Sequence, residues 1–249
     1  MKRLNYLILL VGMMGFLLLG QSCKKEETDP CDGVICQNDG TCVDGSCNCP
    51  TGFAGDFCEI TLSIQERLLT ESPLDILNSG VSIDSLYGKS YVGGFIFYLN
   101  TMDGTGMVAA TEDQSENAEW GCNGVDIPNL VNVAVLAAPP WVDLTAAGAN
   151  IGEGEPNTIA ILAACNETNS AAKLCRDLGA EWFLPSIGEL NLMYENLFLK
   201  GHGNIGNDFF WSSSENNDLN SWIQGFFNGD QGIADKDFVG IYVRAVRAF

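Results

Sequence analysis

Apolar residues are distributed very unevenly along this chain, and their pattern divides it. Leu4 to Leu19 is an apolar run, interrupted by Asn5, behind Lys2 and Arg3. It is short for a membrane span and has the layout of a signal peptide, 1–22. Residues 24–29, Lys-Lys-Glu-Glu-Thr-Asp, have nothing to pack and read as a polar tether within 23–30. From Cys31 to Cys58 the chain has almost no aliphatic residues and six cysteines. Period-3.6 patterning begins after that. Ser63 with Glu66 has the capping-box form, and Pro73 opens a second short turn that stops at Asn78-Ser79-Gly80. These two turns predict a helical connector over 60–86 that docks on the larger domain C-terminal to it.

From Tyr87 the pattern is that of this larger folded domain, 87–249. Tyr91–Leu99 is aromatic and β-branched, which predicts a strand, with Met107–Ala110 as its returning partner. Trp120–Ile151 is punctuated by Gly, Asn and Pro and reads as irregular. Helices are predicted over Asn157–Ala164 and Ser170–Leu178, and from Ser186, where Ser186 and Glu189 form a capping box ahead of Leu190, Met193 and Leu197. After Gly201 the period falls to two. Strands are predicted over Phe209–Ser213, Ser221–Phe227, Gln231–Lys236 and Val239–Ala248. Asn228-Gly229 signals a two-residue hairpin turn.

The cysteines add covalent chemistry. A module as short as 31–59 cannot bury enough apolar surface to fold unaided, so disulfides must hold it. Spacing alone leaves their pairing open. Asn38-Asp39-Gly40-Thr41-Cys42 and Cys49-Pro50-Thr51-Gly52-Phe53-Ala54-Gly55-Asp56-Phe57-Cys58 resemble an EGF-like domain. That resemblance implies Cys31–Cys42, Cys36–Cys47 and Cys49–Cys58. Cys122, Cys165 and Cys175 remain for the larger domain, and three cannot all pair internally. Cys165 with Cys175, on successive helices, is the expected bridge. Cys122–Cys165 is the rival, and two unbridged thiols are the third arrangement. Disulfides require an oxidising compartment. Leu19-Gly20-Gln21-Ser22-Cys23 resembles a relaxed lipobox, with Gly20 where Leu is usual. It implies a bacterial lipoprotein acylated at Cys23 and held on the membrane by its lipid. The lysine-then-acidic tether resembles a surface-export signal, which implies the Gram-negative outer membrane and exposure on the cell.

Four segments of the larger domain then line up with one family. They are Tyr91–Tyr98; Val108–Ser115; Trp182-Phe183-Leu184-Pro185-Ser186 with Glu189-Leu190-Asn191; and Phe210-Trp211-Ser212-Ser213-Ser214-Glu215 followed by Val243–Arg247. Together they resemble the Lcl C-terminal domain of a collagen-like bacterial adhesin, within the broad C-type-lectin-like group. The resemblance implies an α+β fold: an antiparallel sheet with flanking helices, the first strand paired with the last. It implies recognition of a glycan or a surface protein, and a homo-oligomer, a trimer by analogy with the adhesin.

Charge narrows the partners. The chain carries 12 basic and 32 acidic residues, net −20. That excludes nucleic acid and weighs against ligands held by negative charge. From Tyr87 onward 7 basic and 20 acidic residues leave −13, against sulfated glycans bound by charge.

Catalysis finds little support. His202, the only histidine, sits in a Gly-flanked loop, and Ser212–Ser214 lack a nucleophile elbow. Glu155-Pro156-Asn157 matches the calcium motif of animal lectins in letters, but it precedes the helices and reads as a helix start. No enzyme activity, cofactor or metal is expected. The expected ligand surface lies on the last strands: Glu215, Asn216, Asn217, Asn220, Trp222, Gln224, Asn228, Asp230, Gln231 and Lys236, where amides alternate with aromatics. The function expected is surface-anchored binding or adhesion. The alternatives are an envelope glycan-acting enzyme or accessory, and a structural protein with an oligomerising head.

Overall fold

The computed structural model describes residues 29–249, so the signal segment, Cys23 and most of the tether lie outside the described residues. The chain divides into two compact units on either side of the Ile60–Thr61 bond.

The first unit is held by sulfur. Cys31–Cys42, Cys36–Cys47 and Cys49–Cys58 are bridged, with Cα separations of 5.8, 5.6 and 5.2 Å. A short hairpin, β1 (Thr41–Val43) and β2 (Ser46–Asn48), sets Cys42 opposite Cys47. Its turn has positive φ at both Asp44 and Gly45, the geometry that matches strand twist. Gly40 is needed because a Cβ there would meet Cys58 Sγ at 2.7 Å. The strand β3 (Phe53–Ala54) follows, and β4 (Ile60–Thr61) carries the chain into the second unit.

The second unit is dominated by sheet, with helices. In chain order it contains α1 (Ile64–Arg67), α2 (Pro73–Asn78), β5 (Ser90–Tyr91), β6 (Gly94–Leu99), β7 (Gly106–Ala110), β8 (Ser115–Ala118), α3 (Gly154–Ala164), α4 (Ala171–Asp177), β9 (Trp182–Phe183), α5 (Ile187–Asn196), β10 (Phe209–Glu215), β11 (Asn220–Gly225), β12 (Gln231–Asp235), β13 (Ile241–Val243) and β14 (Val246–Ala248). Capping boxes start α1 at Ser63, α2 at Ser72 and α5 at Ser186. The expected connector packs into this unit: Leu68, Ile76 and Leu86 are buried in the same core as Trp211.

Two five-stranded sheets replace the single sheet expected. One has the order β5-β6-β7-β14-β9 and the other β12-β11-β10-β13-β8, with only β10 and β13 parallel. The first and last strands are not neighbours, because β7 lies between β6 and β14. The ends still meet through their rings, Tyr91 and Phe249 packing edge to face at 4.9 Å.

Three expected elements differ for local reasons. Tyr91–Leu99 is broken by a tight turn, with φ of 39° at Val92 and 91° at Gly93. A β-branched residue at positive φ is strained, and only the pairing of Tyr91 with Gly94 around it specifies the turn. The β11–β12 connection is not a two-residue turn at Asn228-Gly229. It spans Phe226–Asp230, closed by the Gly225 N–H on the Asp230 carbonyl at 2.9 Å. Val239–Ala248 is split at Arg244, where the chain leaves one sheet for the other. The buried guanidinium donates to the carbonyls of Ala110 (2.8 Å), Gly203 (3.0 Å) and Asn204 (3.0 Å) and pairs with Asp113 at 2.5 Å.

The cysteine arrangement also differs. Cys122 bridges Cys165, with Cα atoms 5.5 Å apart, and Cys175 is a free thiol. The expected Cys165–Cys175 bridge is absent because Cys175 points into the core from α4, among Ala171 and Leu184. Burial pushes its pKa up, so it is inert as well as inaccessible. Iodoacetamide applied to the native protein is therefore expected to label no cysteine of residues 31–175, and to label Cys175 alone after denaturation without reductant. Label on Cys122 or Cys165 in that experiment contradicts the assigned bridge.

Candidate functional site

The segment from Glu119 to Glu153 contains no regular helix or strand, yet its backbone groups must find partners. The residues expected to face a ligand supply them. Glu215 and Lys236 are both 0 % exposed and form an ion pair. The Ile127 N–H donates to both carboxylate oxygens of Glu215 at 3.2 Å, and Lys236 Nζ donates to the Val125 carbonyl at 2.7 Å. The ammonium also lies 4.7 Å from the centroid of the Trp120 ring, a cation–π contact. Burial raises the pKa of Glu215, against the pull of Lys236 and the Ile127 N–H.

A second pin lies at Val133. Its carbonyl accepts from Trp222 Nε1 (2.9 Å) and Asn216 Nδ2 (2.8 Å), and its N–H donates to the Glu215 carbonyl (2.7 Å). Trp120 and Trp211 form a reciprocal clasp, each indole donating to a carbonyl on the other's strand or loop: Ser212 at 2.8 Å and Ala118 at 2.9 Å.

The third pin covers Gly148 to Gly154. The Gly148 carbonyl accepts from Ser214 Oγ (2.6 Å) and Asn157 Nδ2 (2.9 Å). Glu189, fully buried, accepts from the N–H groups of Gly152 (2.8 Å), Gly154 (3.4 Å) and Ser186 (2.9 Å). Burial pushes its pKa up to about 7, opposed by those three N–H groups. Gly154 has no substitute here, since a Cβ would lie 2.1 Å from Glu189 Oε2.

The expected ligand surface is therefore corrected. Glu215, Trp222, Gln224 and Lys236 are buried. Gln224 Nε2 donates to Asn191 Oδ1 (3.0 Å) and the Gly229 carbonyl (3.3 Å). Asn217 closes its own turn, accepting from the N–H groups of Leu219 and Asn220, and also from Asn220 Nδ2. Gln231 reaches Asn191 Oδ1 at 3.4 Å. Only Asn228 and Asp230 of that set are exposed, and they bond each other across the loop. Polar residues alternating with aromatics on a strand look the same in sequence whether they meet a ligand or the backbone of a long loop. The loop's length was the signal that they meet the loop.

Other candidates are resolved in the same way. Ser212, Ser213 and Ser214 are all buried, and Ser212 Oγ donates to the Trp222 carbonyl at 2.8 Å. Asn157 is buried in the third pin, so Glu155-Pro156-Asn157 forms the start of α3. His202 is exposed in its loop. Ligand atoms of Cys122, Cys165 and Glu167 lie within 4.8 Å of one another, but the two sulfurs are joined to each other.

Between the pins the irregular segment turns apolar side chains outward: Val131, Val135, Leu136 and Trp141 are exposed. Beside it, Pro128 and Asn129 face the outer side of α3 across a groove of about 630 Å³. This groove and the exposed tips are the candidate site. The sequence predicts α3 over Asn157–Ala164 but not its outer face as a site, because its apolar residues fit a core helix. The signal available was that Asn157 and Thr158, its polar pair, leave no polar side for solvent.

Residues 29–58 match the EGF-like domain family. No curated protein matches the chain.

Two outcomes are expected. Lys236→Met alone leaves a buried carboxylate without its cation, costing about 3–5 kcal/mol in urea unfolding. Combining it with Glu215→Gln recovers much of that loss, since an amide oxygen still accepts from Ile127. Additive losses contradict the pairing. For Glu189, a folded-state pKa of about 7 lies above the ordinary 4.5. Its contribution is full below pH 4.5 and lost as pH rises through 7. The melting temperature of the wild type minus that of Glu189→Gln should fall over this window, and a flat or rising difference contradicts the shift.

Proposed function

We propose that this chain is a surface-anchored binding or adhesion lipoprotein. Cys23 carries the lipid in the outer membrane, the EGF-like module acts as a spacer, and the C-terminal unit is a lectin-like recognition head for a glycan or surface protein. The observation that carries the reading is the clamped segment 119–153. Buried charges and indoles fix its backbone, while its tips and the neighbouring groove expose apolar surface. Fixing the frame of a contact loop lowers the entropy lost on binding. Such a frame supports recognition better than turnover. The two fully buried glutamates nearest the segment, Glu189 and Glu215, are each held by backbone N–H groups of it, which leaves neither carboxylate placed for acid–base work on a glycan. The four disulfides fit an envelope or surface location. The acidic balance disfavours nucleic acid as partner.

Two experiments test this. Cys23→Ser should release the protein from membranes into the soluble fraction; retention through detergent-only extraction contradicts lipidation. In a glycan-array and cell-binding screen, Trp141→Ser with Leu136→Ser should weaken any hit at least about tenfold while the melting temperature holds, because both side chains are exposed. Hits that keep full affinity in that variant move the site off this face.

A further inference from the structure

Helix α3 is apolar on its outer side as well as its inner one, where Ile161, Leu162 and Ala164 pack on the core. Asn157 and Thr158 turn inward and are buried with Ile161, whereas Ile159 is 56 % exposed. The outward positions Pro156, Ile159, Ala160 and Ala163 stand at i, i+3, i+4 and i+7, the spacing of a helix–helix seam. Surface helices ordinarily give that stripe to the core and charge to solvent. Here the only charged side chain in the helix is Glu155, in its first turn, and Glu153 immediately precedes it. The stripe forms one wall of the groove of about 630 Å³, and Pro128 with Asn129 forms the other.

The lining selects the class of ligand. A glycan needs several convergent hydrogen-bonding side chains, and this groove offers Asn129 and Glu155 alone. Its remaining walls are proline, isoleucine and alanine, which suit aliphatic side chains. Alanines at 160 and 163 let another backbone come close, as at tightly packed helix crossings. The charge at the mouth is negative on balance: no lysine or arginine lines the groove, and Glu153 and Glu155 outnumber Arg176, which pairs with Glu155 at 3.8 Å.

We infer that the groove along Pro156–Ala163 receives an amphipathic helix of a protein partner, its apolar stripe against α3 and its basic residues facing Glu153 and Glu155. This rests on the proposed reading of this face as the binding surface, and it narrows the ligand to protein. Apolar contact supplies affinity, and the acidic rim supplies orientation and rate of association.

The test uses the full chain carrying Cys23→Ser and synthetic peptides of about five helical turns. One peptide has a leucine stripe with lysines elsewhere, one replaces each lysine by glutamate, and one scrambles the leucine and lysine order. The lysine–leucine helix should bind, and the other two should not. Ile159→Ser should weaken its binding about tenfold without shifting the melting temperature. Glu155→Gln should lower both affinity and its salt dependence. Ile233→Ser, an equal change on the exposed edge strand β12, should leave affinity unaltered. Equal binding of the glutamate or scrambled peptide, or indifference to Ile159→Ser, overturns the inference. Array glycans whose binding falls with Ile159→Ser, alongside peptides that do not respond, would keep the binding face and reject the protein partner. If neither responds to Ile159→Ser while a hit still weakens with Trp141→Ser and Leu136→Ser, the groove inference falls and the recognition reading stands; if neither variant weakens any hit, both fall.

Discussion

A carboxylate and an ammonium closed off from water, Glu215 with Lys236, decide where the longest irregular stretch of the head lies. Removing two charges from water costs several kcal/mol per ion, and their attraction offsets this only when the remaining donors and acceptors are also met. Here they are met by the loop itself: Ile127 gives its N–H to the carboxylate, Val125 its carbonyl to the ammonium, and Trp120 its ring face. The pair is therefore satisfied only while residues 120–127 stay in place. Loop and pair hold each other.

The same solution recurs wherever this head lacks a ladder of backbone hydrogen bonds. Arg244 supplies donors to three carbonyls at the point where the chain changes sheets. Glu189 collects three N–H groups at the junction of the irregular segment, α3 and α5. A strand would have met these groups by pairing. An irregular chain in the interior needs side chains that can do so: Arg244 and the Glu215–Lys236 pair make several charge-assisted bonds at once, and the Glu189 carboxyl offers its oxygens to three N–H groups. These buried polar side chains are the reason a segment without secondary structure can be part of a close-packed domain and still present its tips to solvent.

Much of this was legible along the chain, and the misses have physical causes. The capping boxes at Ser63 and Ser186 are local signals, complete within four residues, and both helices start there. The EGF-like module was legible because its spacing and turn residues leave little freedom. Strand ends were less so. Val92-Gly93 looks like strand by propensity, yet both residues adopt positive φ in a turn that only the pairing partners specify. Val239–Ala248 reads as one strand because nothing near Arg244 announces that distant carbonyls at Ala110 and Gly203 will claim it. The candidate site was the least legible. Lys236 and Glu215 are 21 residues apart, and polar side chains on a strand do not reveal whether they meet water or a loop arriving from Ile127. The cysteines show the same limit: α3 and α4 are adjacent in sequence, but the bridge from Cys165 runs back to Cys122, 43 residues away.

If the buried pair clamps the irregular segment, that segment is a full member of the cooperative fold, and only its exposed tips can open independently. Native-state hydrogen exchange of the wild-type protein in increasing denaturant tests this directly. The amides of Ile127 and Val133, which donate to Glu215, should exchange with opening free energies matching those of strand amides such as Ile223, while Ala137 and Ala138 at the tip exchange freely. If Ile127 and Val133 instead exchange as readily as the tip while β10 and β11 remain protected, the buried pair does not clamp the segment and the central claim is wrong.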